Sequence, residues 1–193
     1  MMEFLRSHKM AAAALAALIQ CGILLYMIQS RASILQNGAQ VVLKTEPVDP
    51  RDLLRGDYVV LSYLISNFPA TDIEGAANTP LDAFTPVHVA LKKGADGVWS
   101  KSRASVAPIA ALQPDEVLIA GRARYGFTPK SSDTVSVDYG IERFYVPEGE
   151  GRAIEAERNQ RRIDAVVMID SKGRAQIKRL LDAGVALYEE PLY

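Results

Sequence analysis

Acidic and basic side chains alternate at two places in this chain, and these residues have the types and spacing that could do chemistry. Asp49, Asp52 and Asp57 stand close together with Arg51 and Arg55 between them. Glu142, Arg143 and Glu148 form a second group far downstream. Carboxylates gathered from two such places can hold a hard cation or share a proton as acid and base. The interleaved arginines support another reading of the same residues, in which buried ion pairs fix a turn. That structural reading is the preferred one, with Asp57 paired to Arg55 or Arg143.

Other chemistries find little support. His88 is the one histidine outside the N-terminal tail, and it lies between Val87 and Val89 in a strand pattern. A half-buried surface histidine is expected there, despite its convenient pKa. A Ser–His–Asp triad would have to run through it, and zinc would have to find its ligands among His88 and carboxylates alone, an unusual set. Cys21 is the single cysteine, so no internal disulfide, Cys-based metal site or catalytic thiol is expected in the remainder. No phosphate-binding loop, dinucleotide fingerprint or nucleic-acid module is present, and a net charge of −1 offers no basic face for nucleic acid. No catalytic residue, cofactor or metal is assigned. Tyr58, Tyr63, Tyr125, Tyr139, Phe144 and Tyr145 fall at strand spacing and are expected in a core before a groove.

The elements that position these residues begin with an anchor. Met10 to Ile28 holds no charged residue, and as a helix it spans roughly 28 Å, close to the bilayer hydrocarbon core. Arg6 and Lys9 precede it; Arg31 follows, and the next cation is Lys44. This asymmetry places residues 1–9 in the cytoplasm and the remainder outside. The run is longer than a signal-peptide core, and Arg31 between Ser30 and Ala32 makes a poor cleavage site. Gln20 sits where a lipoprotein signal needs a small residue before Cys21. An uncleaved anchor at 10–28 is therefore expected, with Gln20, Ala13 and Ala17 offering a face to another transmembrane helix. Residues 29–37 are a linker or a continuation of the helix, and 38–193 form the exported domain.

That domain reads as strands and turns. Gln40–Thr45 is a first strand, stopped by Pro47 and Pro50. Asp49-Pro50-Arg51-Asp52 is a turn with Leu53 and Leu54 tucked inward, and Arg55-Gly56-Asp57 is a second turn. Tyr58–Ile65 is one strand, with Val59, Leu61, Tyr63 and Ile65 on its core face. A loop from Asn67 to Pro86 follows. Pro86–Lys93 and Val98–Lys101 make a hairpin; further strands are Glu116–Tyr125 and Thr134–Gly140. Pro147 and Glu148 suit the first turn of a helix running to about Arg158. Arg162–Asp170 and Arg174–Leu180 close the chain as a last hairpin. The fold class is mainly β, an antiparallel barrel or sandwich with one N-terminal transmembrane helix and a short helix near 147–158.

Gly56-Asp57-Tyr58, Leu61 and Tyr63 spell GDYxxLxY, and this stretch resembles the GDYXXLXY family of bacterial proteins, named for the motif. Tyr139-Gly140-Ile141-Glu142-Arg143-Phe144-Tyr145-Val146-Pro147-Glu148-Gly149 is similar to the family's later motif. The resemblance implies an anchored periplasmic domain, a bacterial inner-membrane location and no assigned catalytic residues. It also implies a multi-pass membrane protein as partner, because family members are often encoded beside or fused to one. Pro50, Leu53 and Gly56-Asp57 are also similar to a turn of bacterial signal peptidases. The Ser-Met pair that precedes that turn is replaced here by Pro47-Val48-Asp49, so the nucleophile is missing. The expected function is a non-catalytic subunit or accessory of a multi-pass membrane complex. The alternative is an envelope hydrolase or ligand-binding protein built on the cluster around Asp57 and Glu142.

Overall fold

A single long helix, α1 (Met2–Asn37), leads the chain. Alanine and leucine are its commonest residues, and both lose little side-chain freedom in a helix. The computed structural model describes residues 2–46, 58–145 and 163–189. From residue 9 to residue 29 every side chain of α1 is exposed. The helix then runs on without a break through residues 29–37. Ile34 and Leu35 in its last turns bury against Met168. Gly38 makes the exit from the helix, its N–H bonding the Ile34 carbonyl at 2.9 Å. A Cβ at this position would stand 2.7 Å from that oxygen and 2.9 Å from the Ile169 nitrogen, so only glycine fits.

The strands are β1 (Ala39–Glu46), β2 (Tyr58–Val60), β3 (Ser62–Tyr63), β4 (Asn67–Pro69), β5 (Ile73–Glu74), β6 (Pro86–Lys93), β7 (Trp99–Ser105), β8 (Glu116–Ala123), β9 (Thr134–Asp138), β10 (Arg143–Tyr145), β11 (Ile163–Ile169), β12 (Ala175–Asp182) and β13 (Val185–Glu189). One sheet has the order β13-β12-β11-β1-β3, another β4-β9-β8-β6-β7-β5, and β2 pairs with β10 between them. All pairings are antiparallel except the short β5–β7 contact. The whole is mainly β with one helix and a nearly closed, barrel-like sheet. Closure hides strand edges that would otherwise pair with other chains.

Alternation of side chains builds the interior. Val41 and Leu43 of β1, Val87, Val89 and Leu91 of β6, and Ala165, Val167 and Ile169 of β11 point into one apolar cluster and are essentially inaccessible to water. Strand β11 is buried on both faces, because its outward Met168 meets the end of α1. That explains its nearly continuous apolar run.

Several boundaries differ from the sequence expectation. The single strand expected over Tyr58–Ile65 is broken at Leu61, whose N–H continues the β2–β10 pairing to the Glu142 carbonyl at 2.8 Å before the chain changes partner to β1. The stretch must serve three neighbours in turn: β2 pairs with β10, β3 with β1, and β4 with β9. The loop expected over 67–86 contains β4, a short 3-10 turn (Ala70–Asp72) and β5. Strand β13 follows a turn whose Ala183 and Gly184 both have positive φ, and it carries no strong apolar alternation that would announce it. The turn residues Asp49, Pro50, Arg51, Asp52, Leu53, Arg55, Gly56 and Asp57, and the helix expected from Pro147 and Glu148 to about Arg158, lie outside the described residues.

Candidate functional site

The two motif blocks, far apart in sequence, lie side by side. In the β2–β10 pair Tyr58 opposes Tyr145, Val59 opposes Phe144, and Val60 opposes Arg143. Val59, Leu61, Tyr63 and Ile65 all point inward and are buried, while Leu64 between them is exposed, as the alternation predicted. Phe144 joins the same core from the other block.

Two tyrosines lock the blocks together in opposite directions. The Tyr63 hydroxyl donates to the Ile141 carbonyl at 2.6 Å. The Tyr139 hydroxyl donates to the Ile65 carbonyl at 2.7 Å. Each ring fills the core and each hydroxyl satisfies a buried carbonyl that has no water to turn to. Burial, and after it the charge of Glu142, pushes both phenols upward from their ordinary value. Both therefore remain neutral O–H donors at physiological pH, unsuited to act as bases.

Glu142 is committed to the backbone. Its carboxylate accepts the N–H of Tyr139 at 2.6 Å and the N–H of Gly140 at 2.9 Å. Gly140 has φ +80, a left-handed conformation that glycine adopts without steric cost. The sequence Tyr-Gly-Ile-Glu thus encodes a tight turn capped by its own carboxylate. It delivers Tyr139 into the core on one side and starts β10 on the other. Charge-assisted bonds of this kind are among the stronger ones available to a turn.

The expected carboxylate cluster is only partly visible. Glu142 and Arg143 are described; Asp49, Asp52, Asp57, Glu148, Arg51 and Arg55 are not, so the proposed Asp57 ion pair lies outside the described residues. Among the described residues no group of three or more His, Cys, Asp or Glu side chains is placed to hold a metal ion. His88 is half-buried on β6, in register with Ser105 and Ala120, and its Nδ1 has no hydrogen-bond partner among the described residues. Of the aromatics set out for core or groove, Tyr63, Tyr139 and Phe144 are core, whereas Tyr125 and Tyr145 are exposed. The side chain of Tyr58 is not described.

Beside the second block lies a cleft of about 300 Å³ between α1, β10 and β12. Arg31 of α1, Arg143 and Tyr145 of β10, Gln176 of β12 and the backbone at Gly140 line it. The sequence marked Arg31 only as a flanking cation and did not single out Gln176. The reciprocal partners Ile65 and Ile141 were also missed, because a carbonyl acceptor leaves no mark on residue type. A signal was present in the paired spacing of Tyr63 and Ile65 against Tyr139 and Ile141, each tyrosine two residues from the carbonyl that receives the other.

These features define a class: a barrel-like β domain, closed by two interlocked segments, on an N-terminal helix long and apolar enough to cross a membrane. The family model described as GDYXXLXY protein matches residues 20–180, most of the chain, and the chain belongs to that family. No curated protein and no solved structure matches it.

Proposed function

We propose that this chain is a single-pass, membrane-anchored protein whose β domain serves as a non-catalytic subunit of a multi-pass membrane complex. The observation that carries this reading is the use made of the motif residues. Tyr63, Tyr139, Gly140 and Glu142 direct their polar groups at the chain's own backbone. A motif spent in this way specifies a scaffold, and a scaffold's activity lies in what it presents to others. The helix supports the anchor, since the apolar side chains of residues 10–28 receive no cover from the domain. Hydrocarbon is the solvent that suits such a surface. In this reading residues 1–9 are cytoplasmic, the anchor lies in a bacterial inner membrane, and the β domain is periplasmic.

The partner contacts the anchor face formed by Ala13, Ala17 and Gln20, where small residues permit close approach and the amide seeks a hydrogen bond. The test is an affinity capture of the full-length protein from native membranes in mild detergent. A multi-pass protein should co-purify, and should be lost when Ala13, Ala17 and Gln20 are all replaced by leucine. Capture of no membrane protein by either form would reject the subunit reading.

A further inference from the structure

The barrel stands over one particular side of the anchor, and helix geometry identifies that side. Residues three or four apart share a helix face. Ala13, Ala17, Gln20, Leu24, Met27 and Arg31 step by four and three in turn and form one stripe up α1. About six turns above Ala13, roughly 22 residues on, that face emerges between Ile34 and Leu35, the two residues buried against Met168 of β11. Neighbouring contacts bracket it. Ser30 accepts the Arg174 guanidinium at 3.1 Å on one flank, and Ala32 is buried on the other. Arg31, between them, faces β10 and β12 across the cleft. The barrel therefore overhangs the face that carries Ala13, Ala17 and Gln20.

This overhang is held in place from both ends. α1 is one unbroken helix from Met2 to Asn37, so the anchor and the docked end share one rotation. The turn that reaches the helix is itself tied down. Asp170 accepts the N–H groups of Lys172 and Arg174 and the Arg174 guanidinium. The Gly173 carbonyl accepts the Ala120 N–H of β8 at 2.9 Å, which joins the turn to the second sheet.

The overhang restricts what the face can receive. Packed helices stand about 8–10 Å apart, and residues 29–37 carry α1 about 14 Å beyond its apolar stretch. A second copy packed on the same face would bring its own residues 29–37 into the space that β11 and β12 hold. A crossing angle of about 20° moves that helix aside by only about 8 Å at the height of Leu35. The sheet β13-β12-β11-β1-β3, with β11 in its middle, is about 20 Å across, so the clash remains. We infer that the face of Ala13, Ala17 and Gln20 receives a transmembrane helix of a different chain, one that ends or turns back at the membrane surface beneath the barrel, and that it excludes a second copy of this chain. A multi-pass protein with a short turn on the barrel side supplies such a helix. The inference rests on the subunit reading above and adds where the partner lies and how its helix must end.

The experiment is photo-cross-linking of the full-length protein with benzoylphenylalanine placed at Ala17 or Leu24, on the face, or at Leu15 or Tyr26, on the opposite side. In native membranes Ala17 and Leu24 should capture a multi-pass protein, and Leu15 and Tyr26 should not. The purified protein in lipid bilayers should give no dimer from Ala17. Two alanines inserted after Ile28 turn the barrel by about 200° and uncover the face, so a dimer adduct should appear. Four inserted alanines turn it by only about 40°, keep the overhang, and should give none. A dimer from Ala17 in the purified protein without an insertion would overturn the inference. Dimers from both insertions, or from neither, would overturn it too, because the barrel would not be what keeps a second copy away. Capture from Leu15 and Tyr26 as strong as from Ala17 would reject the face. These outcomes leave the subunit reading standing. Capture of no membrane protein from any of the four sites in native membranes would remove that reading and this inference with it.

Discussion

The Tyr63 hydroxyl donates a 2.6 Å hydrogen bond to the Ile141 carbonyl, 78 residues further along the chain, at a point closed to solvent. Tyr63→Phe keeps the ring and orphans that carbonyl, and a buried acceptor without a donor costs ~1–3 kcal/mol. Tyr139→Phe does the same to Ile65. Both variants should unfold at lower denaturant concentration, followed through the fluorescence of Trp99, the single tryptophan. The hydroxyls hold the same seam from opposite sides, so their effects should couple by at least ~0.5 kcal/mol in a double-mutant cycle. Strict additivity would mean two independent bonds and no shared clasp.

The same two phenols predict the alkaline limit of the fold. Their folded-state pKa values are raised by burial above the ordinary 10.0. A group with a raised pKa contributes stability that is complete below its unfolded value and is lost as pH climbs toward its folded value. Stability should fall steeply above about pH 10. An absorbance titration near 295 nm should show at least two of the eight tyrosines ionising only as the Trp99 signal reports unfolding. In Tyr63→Phe the alkaline fall should be shallower, though it starts from a lower plateau. Smooth titration of all tyrosines with the fold intact would contradict the burial of these two hydroxyls.

Much of this clasp was legible beforehand. The alternation that put Val59, Leu61, Tyr63 and Ile65 inward is a property of residue type, and it held across the whole stretch. Strand β6, from Pro86 to Lys93, was bounded by its own proline and by the Gly94–Gly97 turn. What stayed hidden depends on partners distant in sequence. The break at Leu61 arises because the chain changes partner there from β10 to β1, and no local propensity encodes that choice. Glu142 looked like a candidate acid because its type permits catalysis; its commitment to two backbone N–H groups follows from the turn at Gly140. Arg31 gained meaning only once β10 and β12 were placed beside it.

The acid limb should be governed by Glu116. This carboxylate is buried, and the Arg103 guanidinium at 2.8 Å, the Gln113 N–H at 3.0 Å and the Ser102 hydroxyl at 2.9 Å lower its pKa from 4.5 to about 2. A depressed pKa contributes stability that is present above the unfolded value and is lost as pH falls through the folded one. The window is therefore about pH 4.5 down to about pH 2. Glu116→Gln should lower stability at neutral pH and flatten the decline across that window. An unchanged slope would assign the acid limb to other carboxylates.

The junction of helix and barrel allows one further separation. Ile34, Leu35 and Met168 form a small apolar cluster distinct from the main core. Leu35→Ala removes buried contacts from that cluster alone, and such truncations cost ~2–5 kcal/mol where the site cannot collapse. The loss should fall on docking and leave the barrel intact, because among the described residues that cluster is separate from the main core. Trypsin should then cleave faster after Arg31, while the Trp99 midpoint stays close to wild type. Gly38→Ala acts differently. Its new Cβ would press on the Ile34 carbonyl and on the Ile169 backbone, which belongs to core strand β11. Neither neighbour is a flexible side-chain end, so the clash must shift main chain, and overpacking of this kind costs ~1–3 kcal/mol. It should both speed cleavage and lower the midpoint. If Leu35→Ala also lowered the midpoint, the helix end would be part of the barrel's cooperative unit. The anchor and the domain would then fold as one piece.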